Sequence, residues 1–321
     1  MFQHFQNQSF STVYVAKPEY LAELCAEIED VSFTIDNLVF SSRRLANPCF
    51  ALDLWFNPVV VNVVSISEAV ARLRQAGKFW FLNPLTHIRR SRLIAEQLRK
   101  LPPLPRSFPI EEPLPEIGCF SLLDHNTLLY ATQRWKKWPL GHCHFIEDRV
   151  NPPNRAYLKL WEALSLLANK PAPGETALDL GAAPGGWTSV LQSLGTQVTA
   201  VDKAPLDPRI AALPGVSFLQ QSAFALEPQD WDKKLDWLVC DLACYPERLY
   251  ALLHKWLAAD KAKHYLFTIK LQGDTNLQMI QQFKDIPGSR TLHLFHNKHE
   301  ATFFYPATGE THVEGTPASE Q

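Results

Sequence analysis

The chain has 321 residues, of which 46% are hydrophobic and 20% charged, and its formal net charge is −2. This composition is typical of a folded protein, and it excludes a generally basic surface for nucleic acid. No stretch approaches the roughly 20 apolar residues of a membrane span, and the N-terminus lacks the pattern of a secretory signal. The six cysteines show no zinc or disulfide spacing, so we expect a cytoplasmic protein.

Residues 1–100 mix strand and helix patterns. Alternation predicts a strand at residues 12–16, and helical spacing predicts helices at 18–29 and 91–100. Another helix is predicted to begin after Ser65, which is a suitable cap, and to bury Ala69, Val70 and Leu73. Short strands are expected within 31–40 and at 78–82. The pattern predicts a small α+β N-terminal domain.

Residues 101–153 form a separate segment in this interpretation. Six prolines between 101 and 115 exclude a regular helix or a central strand, so we expect an extended linker or an arm packed on the surface. Strands at 119–123 and 127–132 flank Asp124-His125-Asn126, which has the chemistry of a turn and therefore predicts a hairpin.

Two short basic runs are candidates for contact with RNA. One contains Arg89, Arg90 and Arg92, and the other is Arg134-Trp-Lys-Lys-Trp138, where cations alternate with aromatic rings. Such a run can meet phosphates and stack on bases. Each run is also compatible with an ordinary solvated face of a folded domain.

From residue 154 to 321 helices alternate with short apolar strands. This alternation is typical of an α/β domain with a mostly parallel sheet covered by helices. The strands are predicted at residues 176–180, 197–201, 216–220, 236–240, 262–269, 291–296 and 301–305. The expected sheet is therefore seven-stranded.

A glycine-rich loop follows the first of these strands. Gly181, Gly185 and Gly186 allow close approach of a ligand to the backbone, and the next helix begins with unpaired N–H groups. Asp202 ends the next strand, where a carboxylate can accept hydrogen bonds from ribose hydroxyls. These features fit either a dinucleotide or S-adenosylmethionine. The presence of Pro184 and the four-residue spacing of Gly181 and Gly185 favour S-adenosylmethionine, because dinucleotide loops are spaced differently.

Four charged residues lie near the expected carboxyl ends of the strands or on the helix before the loop. They are Lys159, Asp241, Lys270 and Glu300. A lysine directly after a buried strand is costly unless it is paired or functional. In this order, and with the segment Asp179-Leu-Gly-Ala-Ala-Pro-Gly-Gly-Trp-Thr188, they resemble the Lys-Asp-Lys-Glu set of the FtsJ/RrmJ-type RNA ribose 2′-O-methyltransferases. The resemblance covers most of residues 154–306 and is greatest to the branch that acts on large-subunit ribosomal RNA.

The resemblance implies a Rossmann-like methyltransferase domain that uses S-adenosylmethionine and methylates a ribose 2′-hydroxyl, expected to be that of a cytidine in 23S RNA. It implies that Lys270 accepts or steers the proton, that Lys159 supplies a nearby positive charge, and that Asp241 and Glu300 orient the two lysines and the hydroxyl. No metal is required by this chemistry. It also implies an RNA-binding N-terminal region of the THUMP type. The residues implied to surround the cofactor are Gly181, Ala183, Pro184, Gly185, Gly186, Trp187, Asp202, Ser222 and Asp241.

Three other functions fit parts of the pattern. An NAD-dependent oxidoreductase would use a similar sheet, and a non-catalytic RNA-binding or ribosome assembly factor could keep the fold. Methylation of a base is the third, since Cys244 is a conceivable nucleophile. The segment after the fourth strand lacks an Asn/Asp-Pro-Pro-Tyr motif, and Cys244 is preceded by Ala243 and not by the proline of the Pro-Cys dipeptide of cytosine C5 chemistry.

Overall fold

The computed structural model describes Phe5 and residues 9–273 and 275–307, which pack into two compact units. The N-terminal unit contains the described residues up to Leu104 together with Glu111–His144, and the C-terminal unit contains Pro105–Ile110 and the described chain from Phe145 onward. Within these ranges no helix is long and apolar enough to cross a bilayer.

The N-terminal unit contains two sheets and three helices of eight residues or more in its described part. Its helices are α1 (Leu21–Ile28), α2 (Ile66–Ala76) and α3 (Ile88–Glu96). Its strands are β1 (Thr12–Ala16), β2 (Phe33–Ile35), β3 (Leu38–Ser41), β4 (Ala51–Phe56), β5 (Val59–Asn62), β6 (Trp80–Leu82), β7 (Gly118–Leu122), β8 (Thr127–Ala131) and β9 (Gln133–Arg134). The strand orders are β2-β3-β1-β4-β9 and β5-β8-β7-β6.

Helix α2 begins where the sequence predicts. The Ser65 hydroxyl accepts a hydrogen bond from the Glu68 backbone N–H at 3.1 Å, and the Glu68 carboxylate accepts one from the Val64 N–H at 2.9 Å. These contacts satisfy donors that a helix N-terminus leaves unpaired. The buried face consists of the three predicted residues, Ala69, Val70 and Leu73.

The predicted hairpin forms, and both of its faces are buried. The Asp124 carboxylate accepts backbone N–H groups of Asn126 and Thr127 at 2.8 and 2.7 Å, which fixes the turn. Along β8, Leu128 packs into one hydrophobic cluster and Leu129 into another, because successive side chains point to opposite faces of a sheet. The hairpin is therefore part of the N-terminal unit, whereas Pro105–Ile110 packs in the C-terminal unit.

Strand β4 was not predicted, and it explains the second basic run. Asp53, in the middle of β4, is fully buried, and its carboxylate is 2.8 Å from the Arg134 guanidinium, whose side chain is 4% exposed. Trp135, Lys136 and Trp138 are buried as well. The interpretation of this run as a solvated face or an RNA-contacting surface is therefore wrong: most of it belongs to the interior of the N-terminal unit.

The C-terminal unit confirms the predicted α/β class. Its strand order is β12-β11-β10-β13-β14-β16-β15, and the pairs from β12 to β14 are parallel while β16 is antiparallel to its neighbours. The strands are β10 (Thr176–Leu180), β11 (Gln197–Asp202), β12 (Val216–Gln220), β13 (Leu235–Cys240), β14 (Ala262–Lys270), β15 (Arg290–Leu292) and β16 (Glu300–Tyr305). The helices are α4 (Tyr157–Leu166), α5 (Gly186–Ser193), α6 (Pro208–Ala211), α7 (Pro246–Ala258) and α8 (Leu277–Lys284).

We predict that Arg134→Met lowers the free energy of unfolding of the N-terminal unit by about 3 kcal/mol, because it leaves the Asp53 carboxylate buried without its cation. Arg43→Met is the matched control, since Arg43 forms a 2.9 Å pair with Glu29 in which the side chains are 48% and 75% exposed. Exposed pairs contribute at most about 1 kcal/mol. Urea denaturation of both variants measures the difference, and equal losses would contradict the prediction.

Candidate active site

The charged residues predicted from the sequence meet at one edge of the C-terminal sheet. Strands β10, β11, β13 and β14 are parallel, so their carboxyl ends lie at the same edge. Strand β16 runs the other way, and its first residue, Glu300, pairs with Lys270 at the end of β14. Strands β11 and β13 lie on opposite sides of β10. The strand order therefore changes direction at β10. Open α/β sheets bind their ligands at such a point, beyond the carboxyl ends of the strands.

Lys159, Asp241, Lys270 and Glu300 form a closed ring of alternating charges, called the charge ring below. The Lys159 ammonium lies 3.0 and 2.8 Å from the two Asp241 carboxylate oxygens and 3.1 Å from Oε1 of Glu300. The Lys270 ammonium lies 2.5 Å from Oδ1 of Asp241 and 2.5 Å from Oε2 of Glu300. Each cation therefore contacts both anions, and the formal charges of the four groups cancel.

The ring is largely shielded from solvent, and Lys270 is its most open member. The exposed fractions of the side chains are 22% for Lys270, 15% for Asp241, 10% for Lys159 and 8% for Glu300. Burial acts to lower the pKa of Lys270, but the carboxylates of Asp241 and Glu300 outweigh it and raise that pKa above its ordinary value. Burial acts to raise the pKa of Glu300, but the two lysines lower it to about 2. All the charges of these two residues therefore persist at neutral pH.

A buried amide fixes the position of Glu300. Asn297 donates from Nδ2 to Oε1 of Glu300 at 3.4 Å, while its Oδ1 accepts the Leu294 N–H at 2.7 Å and the Thr302 hydroxyl at 3.1 Å. The Glu300 carbonyl lies 2.8 Å from Nδ1 of His293. The carboxylate is therefore held by the turn before β16 as well as by the lysines.

Helix α4 supports the same turn. Glu162, one turn after Lys159, is 2% exposed, and its carboxylate accepts the backbone N–H groups of Phe295 and His296, each at 2.9 Å. Sequence analysis missed Glu162 and Asn297. A signal for Glu162 was present, because it is an acid in the otherwise apolar segment of α4 between Leu160 and Leu164.

The glycine loop makes a tight connection from β10 to α5. Gly181 has φ +80° and Gly185 has φ +118°, backbone conformations that side-chain-bearing residues rarely adopt. A Cβ at Gly181 would come within 2.9 Å of the Leu242 side chain. The loop thus brings β10 close to the segment that follows Asp241, whose backbone N–H donates to the Leu180 carbonyl at 3.1 Å.

Asp202 lies at the end of β11, beside this loop. Its Oδ2 accepts the Ala183 N–H at 3.0 Å, and its Oδ1 accepts the Ala204 N–H at 2.9 Å. Because each carboxylate oxygen can accept two hydrogen bonds, both retain capacity for hydroxyl donors. A half-buried carboxylate with this capacity next to a glycine loop fits the ribose of a nucleoside ligand.

The remaining predicted cofactor residues lie in α5, after β12 and in the glycine loop. Trp187 is buried, its indole N–H donates to the Ala156 carbonyl at 3.0 Å, and its ring centroid lies 6.0 Å from the Lys159 ammonium. Ser222 follows β12 and is half-buried at the same sheet edge as Asp202. Pro184 lies in the loop, and Gly186 is the first residue of α5, where a Cβ would come within 2.3 Å of the Asn154 side chain.

Asp179 was quoted in the motif but not predicted as a site residue. It is fully buried in β10, and its Oδ2 accepts the Thr188 hydroxyl at 2.7 Å, which ties β10 to α5. Burial raises the pKa of Asp179 to about 7, and the carboxylates of Asp241 and Asp202 also raise it, against the Thr188 hydrogen bond. Its Oδ1 has no hydrogen-bond partner among the residues that the structure describes.

Comparison with known proteins identifies the class of this fold and site. The FtsJ-like methyltransferase family matches residues 152–303. A ribosomal RNA large subunit methyltransferase M of Halorhodospira halophila is 39% identical over 175 residues, which are 52% of this chain and 50% of that protein. A protein of the same name from Azoarcus sp. is 33% identical over 53% of this chain and 50% of its own length. In these matches the chain spans about half the length of the curated relatives.

A longer match covers nearly the whole chain. The ribosomal RNA large subunit methyltransferase M of Methylococcus capsulatus is 31% identical over 93% of this chain and 88% of its own length. The chain therefore belongs to the FtsJ-like methyltransferase family, among relatives that carry this name. The resemblance inferred from the sequence is confirmed.

We predict that the contribution of Glu300 to stability disappears in acid. Its folded-state pKa of about 2 lies below the ordinary value of 4.5, so the stabilisation is present above pH 4.5 and is lost as the pH falls toward 2. Thermal melting of the wild type and Glu300→Gln should therefore differ most at neutral pH and converge in acid. A difference that stays constant from pH 7 to pH 3 would contradict this assignment.

Proposed function

We propose that the protein transfers a methyl group from S-adenosylmethionine to a ribose 2′-hydroxyl of large-subunit ribosomal RNA. The observation that carries the proposal is the charge ring at the carboxyl edge of the sheet, next to the glycine loop. The family membership supports methyl transfer, and the names of the relatives support ribosomal RNA as the substrate. The resemblance of the four charged residues supports the ribose hydroxyl as acceptor, expected to be that of a cytidine.

The residues present fit the cofactor. Asp202 has the capacity to accept ribose hydroxyls, and the loop from Ala183 to Gly186 leads to the N-terminus of α5, which suits a carboxylate. We assign Ser222 to the adenine side, because it follows β12 at the same edge. S-adenosylmethionine supplies an electrophilic methyl group when it is bound, and no metal is assigned to the reaction.

The charges of the ring suggest how the hydroxyl is positioned. Since both carboxylates raise the pKa of Lys270, this residue is an ammonium group at neutral pH and is suited to steer the hydroxyl oxygen. It can act as a base only if those contacts change when RNA binds. The carboxylate of Asp241 or Glu300 accepts the proton in our proposal, because an oxygen that gains a methyl group becomes strongly acidic. Lys159 holds both carboxylates in place.

We assign RNA binding to the N-terminal unit. Of the two basic runs, the one on α3 remains available, since Arg89 and Arg92 are exposed. Long cationic side chains on an exposed helix suit phosphate contacts, which position RNA without reading its sequence. A THUMP-type role of this unit and a cytoplasmic location belong to the same proposal.

The proposal is tested with purified protein, S-adenosylmethionine and large-subunit ribosomal RNA from cells that lack the gene. Mass mapping should find one new ribose methylation. A methyl group on a base would favour base methylation. Calorimetry should show binding of S-adenosylmethionine and not of NADH, and the reverse result would favour an oxidoreductase. Cofactor binding without turnover on RNA would favour a non-catalytic factor.

We predict that Asp202→Ala weakens S-adenosylmethionine binding roughly 10- to 100-fold, because hydrogen bonds to a charged acceptor are worth about 1.5–3 kcal/mol. Asp260→Ala is the control, since the Asp260 side chain is 81% exposed and pairs with Lys234. Calorimetric titration of both variants measures the effect. An unchanged dissociation constant for Asp202→Ala would refute the assignment.

We predict that Lys270→Ala slows methyl transfer at least about 100-fold, the scale of losing one preorganised charge or donor at a reacting oxygen. Lys263→Ala is a matched control, because Lys263 lies near the start of β14 and pairs with Asp236 at 2.6 Å while its side chain is 59% exposed. Single-turnover assays should show a near wild-type rate for Lys263→Ala.

Cofactor titration of the Lys270→Ala protein separates a chemical role from a structural one. If Lys270 acts on the hydroxyl, affinity for S-adenosylmethionine should be retained while the rate falls. If it only maintains the fold, melting temperature and cofactor affinity should fall together, because breaking a buried ion pair is destabilising. A near wild-type rate would show that Lys270 is dispensable.

A further inference from the structure

A groove in the C-terminal unit lies between the beginnings of α7 and α8. It consists of two adjoining cavities of ≈ 180 and ≈ 260 Å³, which share Glu247, Asn276 and Met279 as lining residues. Tyr245, Leu271 and Gln272 line the smaller cavity. None of these residues belongs to the charge ring or to the predicted cofactor set.

The smaller cavity adjoins the charge ring along the chain. Leu271, in its wall, directly follows Lys270, the most exposed residue of the ring. Tyr245 follows Cys244; burial raises the pKa of this thiol, and the nearby cations of Arg248 and Lys270 oppose the effect. Leu271 and Tyr245, which line the cavity, are thus each adjacent in sequence to a residue at or near the Lys270 ammonium. A ligand in the groove would be a neighbour of the acceptor.

The lining of the smaller cavity combines an apolar floor with an aromatic ring and amides. Leu271, Met279 and Ile280 are buried and form the apolar part. Tyr245, which supplies the aromatic ring, is 66% exposed. The Asn276 carboxamide oxygen accepts the Met279 N–H at 3.0 Å, so its NH₂ group remains the donor available to a ligand. This mixture suits a flat heterocycle with polar edges.

The charge of the groove excludes a phosphate as its occupant. Among the described residues that line the two cavities there is no lysine or arginine, and Glu247 contributes a carboxylate to both. A phosphate would be repelled there, whereas a carboxylate can accept a hydrogen bond from the exocyclic amino group of a base. The smaller volume, ≈ 180 Å³, is also below the roughly 300–1,000 Å³ of pockets for drug-sized ligands.

We propose that this groove binds the nucleobase of an unpaired nucleotide next to the methylated one, with Tyr245 stacking on the base and Gln272, Asn276 and Glu247 contacting its edge. The inference rests on the proposed function, since it assigns part of the same RNA substrate. In this proposal Tyr245 is a positioning residue that selects single-stranded RNA. Glu247 selects a base that carries an amino group.

The test compares Tyr245→Ala with Tyr245→Phe, which keeps the ring. Single-turnover methylation of large-subunit ribosomal RNA from cells lacking the gene should show a KM for RNA raised roughly 5- to 150-fold in Tyr245→Ala, the affinity equivalent of one base–aromatic stack. Tyr245→Phe should stay near wild type. The rate at saturating RNA, the Kd for S-adenosylmethionine and the melting temperature should be unchanged in both variants.

The outcomes separate this inference from the proposed function. A wild-type protein that methylates RNA, together with an unchanged KM in Tyr245→Ala, overturns the groove assignment and leaves the function standing. A raised Kd for S-adenosylmethionine in Tyr245→Ala also overturns it, because the groove would then serve the cofactor. Failure of the wild type to methylate RNA overturns the proposed function and the inference together.

A second measurement identifies the base itself. RNA fragments centred on the mapped position carry an abasic nucleotide on one or the other side of the acceptor. One of the two should raise the KM of the wild type, and Tyr245→Ala should add nothing further on that fragment, since the ring and the base form one contact. Additive effects on both fragments would overturn the proposal.

Discussion

A lysine or an ionised carboxylate is costly to bury without a compensating charge or hydrogen bonds, and this constraint shapes the C-terminal unit. The charge ring satisfies it with two ammonium groups and two carboxylates, and the four side chains come from α4, the residue directly after β13, the end of β14 and the start of β16. The four side chains must therefore meet at one point, since a missing partner would leave an uncompensated charge in a site that is shielded from water. The antiparallel direction of β16 matters for this reason: it places Glu300 opposite Lys270.

The same constraint limits how the ring can do chemistry. In the structure the four charges neutralise one another, so in the proposed reaction an incoming hydroxyl has to compete with an existing contact. Lys270 is the most exposed member and is the natural point of entry. Asn297 contacts the Glu300 carboxylate, and Glu162 holds the turn before β16. A firmly held carboxylate beside a more exposed ammonium suits a site that positions a weak nucleophile.

The sequence was informative where a pattern is local and where a charged residue follows an apolar run. The strand before the glycine loop, Asp202, Asp241 and Lys270 were found in this way, because buried parallel strands leave few polar positions at their ends. Lys159 and Glu300 were added through the resemblance to the family. Strand β4 was missed, since Asp53 interrupts its apolar run and depends on the Arg134 guanidinium, 81 positions away, as its counter-charge. Glu162 acts through a hydrogen bond from the Phe295 backbone N–H, 133 positions further along the chain. Hydrophobic periodicity reports only local structure, so it does not predict this contact.

The placement of the hairpin has a practical consequence for dissecting the protein. Strands β7 and β8 supply the middle of the sheet β5-β8-β7-β6, although they follow the proline-rich segment in the chain. A fragment ending near residue 100 would lose both strands and uncover apolar side chains on two faces, so it should aggregate during expression. A soluble N-terminal fragment for RNA-binding studies has to extend to His144, the last residue of its compact unit before the chain passes to the other.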